Sequence, residues 1–194
     1  MYLEKKRYSS RAAVLGTVAL VAWALGAQAQ NAWKVDYGQS SVKFYIKHAA
    51  GMTQEGRFDQ FQVQVRFDPQ APEKASFSGT IEAASINTEL SMRDNQLRSK
   101  DYLEVETYPR IRFQSTGLSR GAGDSYWVEG QLTIKKTNKT VKLPLKVEQK
   151  GALWLFTAEL PLNRVEYGVG TKSWMLASEL KAVISVAAAW SEAK

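Results

Sequence analysis

The side chains that most often carry catalysis are scarce in this sequence. It contains one histidine, His48, and no cysteine, although histidine and cysteine are frequent general bases and nucleophiles in enzymes. A serine triad would have to use His48, and the strand pattern described below is not that of an α/β-hydrolase. Zinc or copper sites built from several histidine or cysteine ligands are excluded. The residue types therefore predict no enzyme, no metal site and no cofactor, with catalysis by His48 as the weaker alternative.

The segment 167–173, Tyr-Gly-Val-Gly-Thr-Lys-Ser, is similar in composition to a phosphate-binding loop. A P-loop requires Gly-Lys-Ser/Thr in direct succession at a strand-to-helix turn. Here Thr171 separates Gly170 from Lys172 within an antiparallel pattern. The segment is therefore predicted to be a loop between two strands and not a nucleotide site.

The first thirty residues have the layout of a secretory signal. Basic residues precede an apolar stretch from Ala12 to Leu25, and a small-x-small site ends at Ala29. The apolar stretch is shorter than the ~20 residues of a membrane-spanning helix. We predict a cleavable signal peptide over residues 1–29, a single mature domain over 30–194, and a periplasmic location. The absence of cysteine excludes a cysteine-linked lipoprotein anchor and any disulfide.

Four lysines form a basic hairpin tip, namely Lys135, Lys136, Lys139 and Lys142. In a chain with six tryptophans and eight tyrosines, such a patch could indicate nucleic-acid binding. The predicted secretion argues against a nucleic-acid partner. The favoured interpretation is a solvated turn that resists aggregation, and contact with anionic lipid head groups is the alternative.

From Ser41 onward the apolar residues recur with period two, which is typical of strands that bury one face. Two short connections, 136–139 and 149–151, indicate hairpins, so neighbouring strands should be antiparallel. The pattern predicts an all-β, eight-stranded antiparallel, lipocalin-like β-barrel. The eight predicted strands are 41–48, 60–67, 76–84, 110–116, 126–135, 140–148, 153–162 and 180–188.

One segment, residues 87–106, fits no strand pattern. Ser91 and Asp94 have the spacing of a capping box, which predicts a short helix between the third and fourth strands. Tyr108-Pro109 would end this insertion. We expect it to cover one end of the barrel or to pack on its flank.

The inward face of the predicted barrel is apolar and carries no charge. An eight-stranded barrel is wide enough either to be filled by these side chains or to hold one slender ligand, and periodicity leaves both possibilities open. The residues predicted to line a ligand tunnel are Phe44, Ile46, Phe61, Val63, Val65, Phe67, Phe77, Ile81, Ile111, Phe113, Leu132, Ile134, Leu145, Val147, Phe156, Ile184 and Val186.

Several motifs are similar to those of the YceI-like polyisoprenoid-binding proteins of bacteria, over essentially the whole predicted mature chain. The longest is Ser85-Ile86-Asn87-Thr88 followed by residues 93–103 and 108–113. Two positions depart from the family pattern: Gln96 stands where histidine is frequent, and Thr137-Asn138 replaces a glycine-containing turn. The other matching segments are Val35-Asp36 with 41–48, then 56–61, 128–134 and 180–186.

This resemblance implies an elongated barrel whose tunnel holds a polyisoprenoid, an isoprenoid quinone or a comparable lipid tail, in a periplasmic or secreted carrier. Candidate head-group contacts, placed by the loop and helix positions, are His48, Arg93, Asp94 and Asn95; for Arg93 and Asp94, a helix-start ion pair and cap is the structural alternative. Homodimerisation is also implied, with Trp127 or Trp174 as possible contacts. The alternatives are a lipid-modifying enzyme that uses His48, and a filled barrel acting in envelope stress or beside a membrane cytochrome.

Overall fold

The computed structural model describes residues 32–49, 51–123 and 125–191. The predicted signal peptide, 1–29, lies outside the described residues. The described part contains ten strands: β1 (Ala32–His48), β2 (Thr53–Phe58), β3 (Phe61–Arg66), β4 (Ser76–Glu82), β5 (Ile86–Asn87), β6 (Arg110–Arg120), β7 (Ser125–Ile134), β8 (Thr137–Lys150), β9 (Leu153–Asn163) and β10 (Leu176–Ser191).

All ten strands belong to one curled antiparallel sheet with the order β3-β4-β6-β7-β8-β9-β10-β1-β2-β5. The predicted all-β, barrel-like class is confirmed, and the predicted count of eight strands is wrong by two. Periodicity missed β2, where Gly56 interrupts the apolar alternation, and β5, which has only two residues. In addition, β1 begins at Ala32 and not at Ser41, because its first half pairs with the end of β10.

The curl brings the first half of β1 against the edge strand β3. The indole N–H of Trp33 donates to the carbonyl of Phe67 at 3.0 Å, and the backbone N–H of Val63 donates to the hydroxyl of Tyr37 at 3.3 Å. The rings of Tyr37 and Phe61 also lie edge to face, with 5.7 Å between their centroids. Side chains therefore bridge this seam and partly satisfy an otherwise exposed sheet edge.

Both predicted hairpins are present. The β7–β8 turn is the two residues Lys135-Lys136 and not the four residues 136–139, because Ile134 pairs directly with Thr137. Lys135 has a positive φ of 53° and its ammonium bridges the Glu104 carboxylate at 3.2 Å and the Gly168 carbonyl at 3.1 Å. Lys135 thus links the turn to Glu104 and Gly168 and is not part of the solvated tip that the sequence predicted.

The predicted helix is present as α1 (Ser91–Arg98), but its start differs from the predicted capping box. Leu90 is the N-cap residue and makes no side-chain cap. The Asp94 carboxylate instead accepts hydrogen bonds from the backbone N–H of Thr88 at 2.9 Å and from its hydroxyl at 2.6 Å. Arg98 donates to the carbonyls of Ala84 and Ile86, which holds α1 over one end of the sheet.

Aromatic rings close the opposite end of the barrel. We call this end the closed end. The ring of Phe67 lies within 6.5 Å, centroid to centroid, of each of its five aromatic neighbours. Edge-to-face and tilted arrangements at these distances are favourable for aromatic pairs. The six rings are those of Trp33, Phe67, Phe77, Tyr126, Trp154 and Phe156.

Candidate functional site

The interior of the curled sheet is hollow. A cavity of about 680 Å³ runs between the inward faces of the strands, within the size range of small-molecule sites. Its wall is formed mainly by aliphatic and aromatic side chains from every long strand. The choice that periodicity left open, filled core or cavity, is therefore decided by the structure in favour of a cavity.

Inward-facing glycines help to keep this space open. A Cβ added at Gly56 would lie 2.2 Å from the ring of Phe44, and one added at Gly130 would lie 2.6 Å from the ring of Phe113. Both rings therefore lie against the sheet wall, over glycine, rather than pointing to the barrel axis. Gly79 also faces the cavity, and a Cβ there would meet only a backbone oxygen, at 3.9 Å.

Most of the residues predicted to line a tunnel do border this cavity. Phe67 and Val147 are the exceptions. Phe67 is buried within the closed end, at 3% exposure, and Val147 is buried beside it, at 6% exposure. Phe67 is covered by its aromatic neighbours, and Val147 pairs with Phe156, whose ring forms the cavity floor. The residues that border the cavity are Phe44, Ile46, Phe61, Val63, Val65, Phe77, Ile81, Ile111, Phe113, Leu132, Ile134, Leu145, Phe156, Ile184 and Val186.

The cavity reaches solvent at the end covered by α1, which we call the open end. Gln96, Thr171, Ser173 and Met175 line the cavity and are also exposed. They come from α1 and from the segment that precedes β10. Polar side chains therefore line the cavity at this opening, and further polar lining residues lie along the strands, namely Lys43, Gln62, Ser78, Thr80 and Arg112.

Arg93 lines the cavity at the open end, where three side-chain hydrogen bonds hold its guanidinium. Its guanidinium donates to the Thr88 hydroxyl at 2.7 Å, to the Thr88 carbonyl at 2.6 Å and to the Gln54 side chain at 2.9 Å. These bonds use three of the five N–H groups of the guanidinium, and the other two make no hydrogen bond within the described residues. Asp94 is buried and accepts a hydrogen bond from the Thr88 hydroxyl, which in turn accepts one from Arg93. Thr88 therefore links the two residues, in place of the predicted ion pair.

The four candidate head-group residues thus separate into two pairs. His48 and Arg93 line the cavity. Asp94 does not line the cavity, and its carboxylate accepts a hydrogen bond from the backbone N–H of Thr88. Asn95 is exposed and lies away from the cavity, where its side-chain oxygen accepts a hydrogen bond from Arg98 at 3.0 Å. The capping-box spacing correctly predicted that Asp94 and Asn95 lie on a helix, α1. It could not predict which face of that helix each residue occupies.

Sequence reasoning missed Arg164, which is 4% exposed and lines the cavity. Its guanidinium donates to the carbonyls of Ala177, Val169, Thr171 and Leu176, between 2.8 and 3.4 Å. Burial lowers the pKa of Arg164 below its ordinary value, and the electrostatic interaction with Tyr102 opposes that shift. Arg164 thus holds the glycine-containing segment 168–176 in place by hydrogen bonds. No sequence motif indicates this role of Arg164.

No aspartate or glutamate belongs to the described cavity wall, so His48 has no carboxylate partner there. The sequence does contain a Gly-x-Ser-x-Gly pattern, Gly117 to Gly121, which sequence reasoning passed over. Ser119 lies within β6, paired with Trp127 and exposed, rather than on a strand-to-helix turn. This serine therefore does not form a nucleophile elbow.

The model of the YceI-like domain family matches residues 33–188, which include all but the extreme ends of the described barrel. The chain belongs to the YceI-like family. Among curated relatives, it is 36% identical over 135 residues to a UPF0312 protein of Photorhabdus laumondii, covering 69% of each chain. It is 30% identical over 179 residues to a UPF0312 protein of Serratia proteamaculans, covering 86% of this chain and 93% of that one.

Solved structures give the same result for the fold of this YceI-like protein. Burkholderia cenocepacia BcnA superposes with a TM-score of 0.76 at 34% identity, over 79% of this chain and 99% of that one. A polyisoprenoid-binding domain from Saccharophagus degradans, implicated in plant cell wall breakdown, superposes with a TM-score of 0.64 at 12% identity, over 84% and 100%. The second likeness is one of fold alone.

Within the described residues, the structure contains no helix with the length and apolar character needed to span a membrane.

Proposed function

We propose that this YceI-like protein binds a long-chain isoprenoid lipid, such as a polyisoprenoid or an isoprenoid quinone, and carries it in the periplasm without changing it chemically. The observation that carries the proposal is the apolar cavity of about 680 Å³ that ends among polar side chains. The Saccharophagus degradans domain of the same fold, described as polyisoprenoid-binding, supports the choice of guest. The lipid would lie along the barrel with its tail toward the closed end.

The chemistry of the wall accounts for the expected affinity. Burial of each CH₂ group is worth about 0.8 kcal/mol, so a tail of many carbons binds tightly without specific polar contacts. The aromatic floor at Phe77 and Phe156 sets the depth to which that tail can enter. Selectivity for length would follow from this floor rather than from hydrogen bonding.

The head group would meet Arg93 and His48 at the open end. The two unused N–H groups of Arg93 suit an oxygen acceptor, such as a phosphate, carboxylate or quinone carbonyl. Asp94 and Thr88 would hold the guanidinium in place, and Asn95 would make no contact with the guest. Export by the predicted signal peptide, residues 1–29, would deliver the carrier to the periplasm.

Native mass spectrometry of protein purified from the periplasm of an expressing bacterium tests the proposal. Wild type is expected to retain a lipid whose mass is found by organic extraction. In Gly79→Leu the new side chain would project into open cavity space, so retention should fall by at least about fivefold with the fold preserved. Gly117→Leu is the matched control, because a Cβ there meets nothing within 4 Å and lies outside the cavity.

A wild-type protein that retains no lipid under gentle conditions would contradict the proposal. Equal lipid retention by Gly79→Leu and Gly117→Leu would also contradict it, because the guest would then lie outside the cavity. Circular dichroism of both variants establishes that any loss of lipid does not arise from unfolding.

A further inference from the structure

The most exposed large apolar side chains of the described chain are gathered in three short segments. Trp174 is 84% exposed, Met92 80%, Met52 66%, Met175 58% and Leu90 51%. Met52 lies in the turn between β1 and β2, Leu90 and Met92 lie at the start of α1, and Trp174 and Met175 lie just before β10. We call these five residues the rim.

Backbone and side-chain contacts join the three segments around the open end. The N–H of Ala49 donates to the carbonyl of Met175 and the N–H of His48 to the carbonyl of Met52, both at 2.9 Å. Arg93 reaches from α1 to Gln54 at the start of β2, also at 2.9 Å. His48, Gln54, Arg93 and Met175 all line the cavity, so the rim surrounds the opening of that cavity.

We propose that the rim docks onto the surface of an anionic lipid bilayer, with the open end facing the membrane. This inference rests on the proposed function, because docking would let a lipid tail pass between bilayer and cavity without crossing water. Tryptophan favours the bilayer interface, and methionine adapts its shape to irregular apolar surroundings. Exposed apolar groups of this size, gathered at one place, mark an interaction surface rather than ordinary single exposures.

The charges next to the rim favour anionic lipid over a neutral surface. The segments 47–54 and 171–175 contain Lys47 and Lys172 and no carboxylate. Glu89, the acidic residue next to Leu90, is held by Arg57 at 3.0 Å. Glu166 is paired with Lys139, and Glu55, next to Gln54, is paired with Lys43. Two negative charges remain nearby, Glu179 and Asp101, whose backbone carbonyl accepts from the N–H of Gly170.

Co-sedimentation with vesicles of phosphatidylcholine and phosphatidylglycerol tests the apolar part of the proposal. The protein is used as the expressing bacterium processes it, with its mass recorded to establish whether the leader is absent. Trp174→Ser is expected to weaken vesicle binding roughly tenfold, since one large apolar side chain is lost from the interface. Trp127→Ser, which removes an exposed tryptophan from β7, is the matched control and should bind like wild type.

A second pair of variants tests the charge. Lys47→Glu combined with Lys172→Glu should weaken binding by more than about tenfold, and binding by wild type should fall as salt is added. Lys34→Glu combined with Lys150→Glu makes the same charge change at exposed positions near the closed end and should have a much smaller effect. Pure phosphatidylcholine vesicles should bind wild type weakly.

Equal binding by Trp174→Ser and Trp127→Ser would overturn docking through the rim. So would a wild-type dimer, detected by sedimentation velocity, that Trp174→Ser dissociates, because a second copy would then cover the rim. Failure of docking is distinguishable from failure of the carrier function. Retained lipid without vesicle binding refutes docking alone, whereas Trp174-dependent vesicle binding without retained lipid refutes the carrier alone.

Discussion

The two ends of this barrel are built from the same kind of strand but have opposite character. At the closed end, the rings around Phe67 interlock edge to face, and Trp33 ties β1 to the segment after β3. At the open end, the wall continues into Arg93, Gln54 and His48. At the closed end the aromatic side chains pack against one another. At the open end, hydrogen-bond donors and apolar groups are available to a binding partner.

This difference assigns stability and binding to separate parts of the molecule. Dense aromatic packing contributes to the free energy of folding, because each buried ring removes a large apolar area from water. The open end is held instead by hydrogen bonds from Arg93, Arg98 and Arg164 to loop and helix atoms. Substitutions at the two ends should therefore have effects that can be separated experimentally.

The largest expected effect on stability is at the closed end. Phe67→Ala should lower the free energy of unfolding by about 3–5 kcal/mol, because it leaves a cavity among rings that cannot collapse into it. Chemical denaturation measures this change. Met92→Ala, at the rim, should change stability by less than about 0.5 kcal/mol. Similar losses for the two variants would remove the contrast between the ends.

A smaller loss is expected at Arg164. Arg164→Met keeps much of the side-chain volume but leaves four carbonyl groups without their donor, which should cost about 2–3 kcal/mol. Hydrogen exchange should become faster in the segment 168–176 and remain unchanged at the closed end. Arg110→Met removes an exposed pair with Glu82 and should have little effect on either measurement. Unchanged exchange in Arg164→Met would show that another contact fastens the segment.

The smallest of the three effects is expected at Asp94. Asp94→Ala removes both hydrogen bonds to Thr88 and should cost about 1–2 kcal/mol. Because Thr88 also holds Arg93, lipid retention should fall by more than this stability change alone explains. Asn95→Ala, one position along the same helix, should leave lipid retention unchanged, since its side chain is exposed and away from the cavity. Equal retention by the two variants would exclude a supporting role for Asp94.

The strands that sequence predicted well are those whose inward residues alternate without interruption. In β7, Val128, Leu132 and Ile134 are buried as the period requires, and β8 is its antiparallel neighbour as expected, although the turn between them is shorter than predicted. Prediction failed where a strand depends on its partner. β5 has two residues and exists because β2 lies beside it, and Gly56 is recognisable as a strand residue only with the ring of Phe44 above it.

The candidate site was predictable to the same limited extent. Alternation identified which residues face inward, so most of the predicted lining borders the cavity. It could not distinguish Phe67 and Val147, which have the same inward orientation at a level where the barrel is filled. Arg164 was missed because its burial depends on four carbonyl groups that the chain brings together only in the folded state.

By itself the sequence determined the strand period, the single inward apolar face and the shortage of catalytic side chains, because these depend on residue type and local spacing. Only the tertiary structure decided that the interior is hollow, that one end is closed by aromatic rings, and that Trp174 and the methionines surround the other. The physical reason is that a cavity and its opening are differences in how distant strands pack. The same apolar residues fill a core or leave a space according to whether glycine lets the rings lie against the wall.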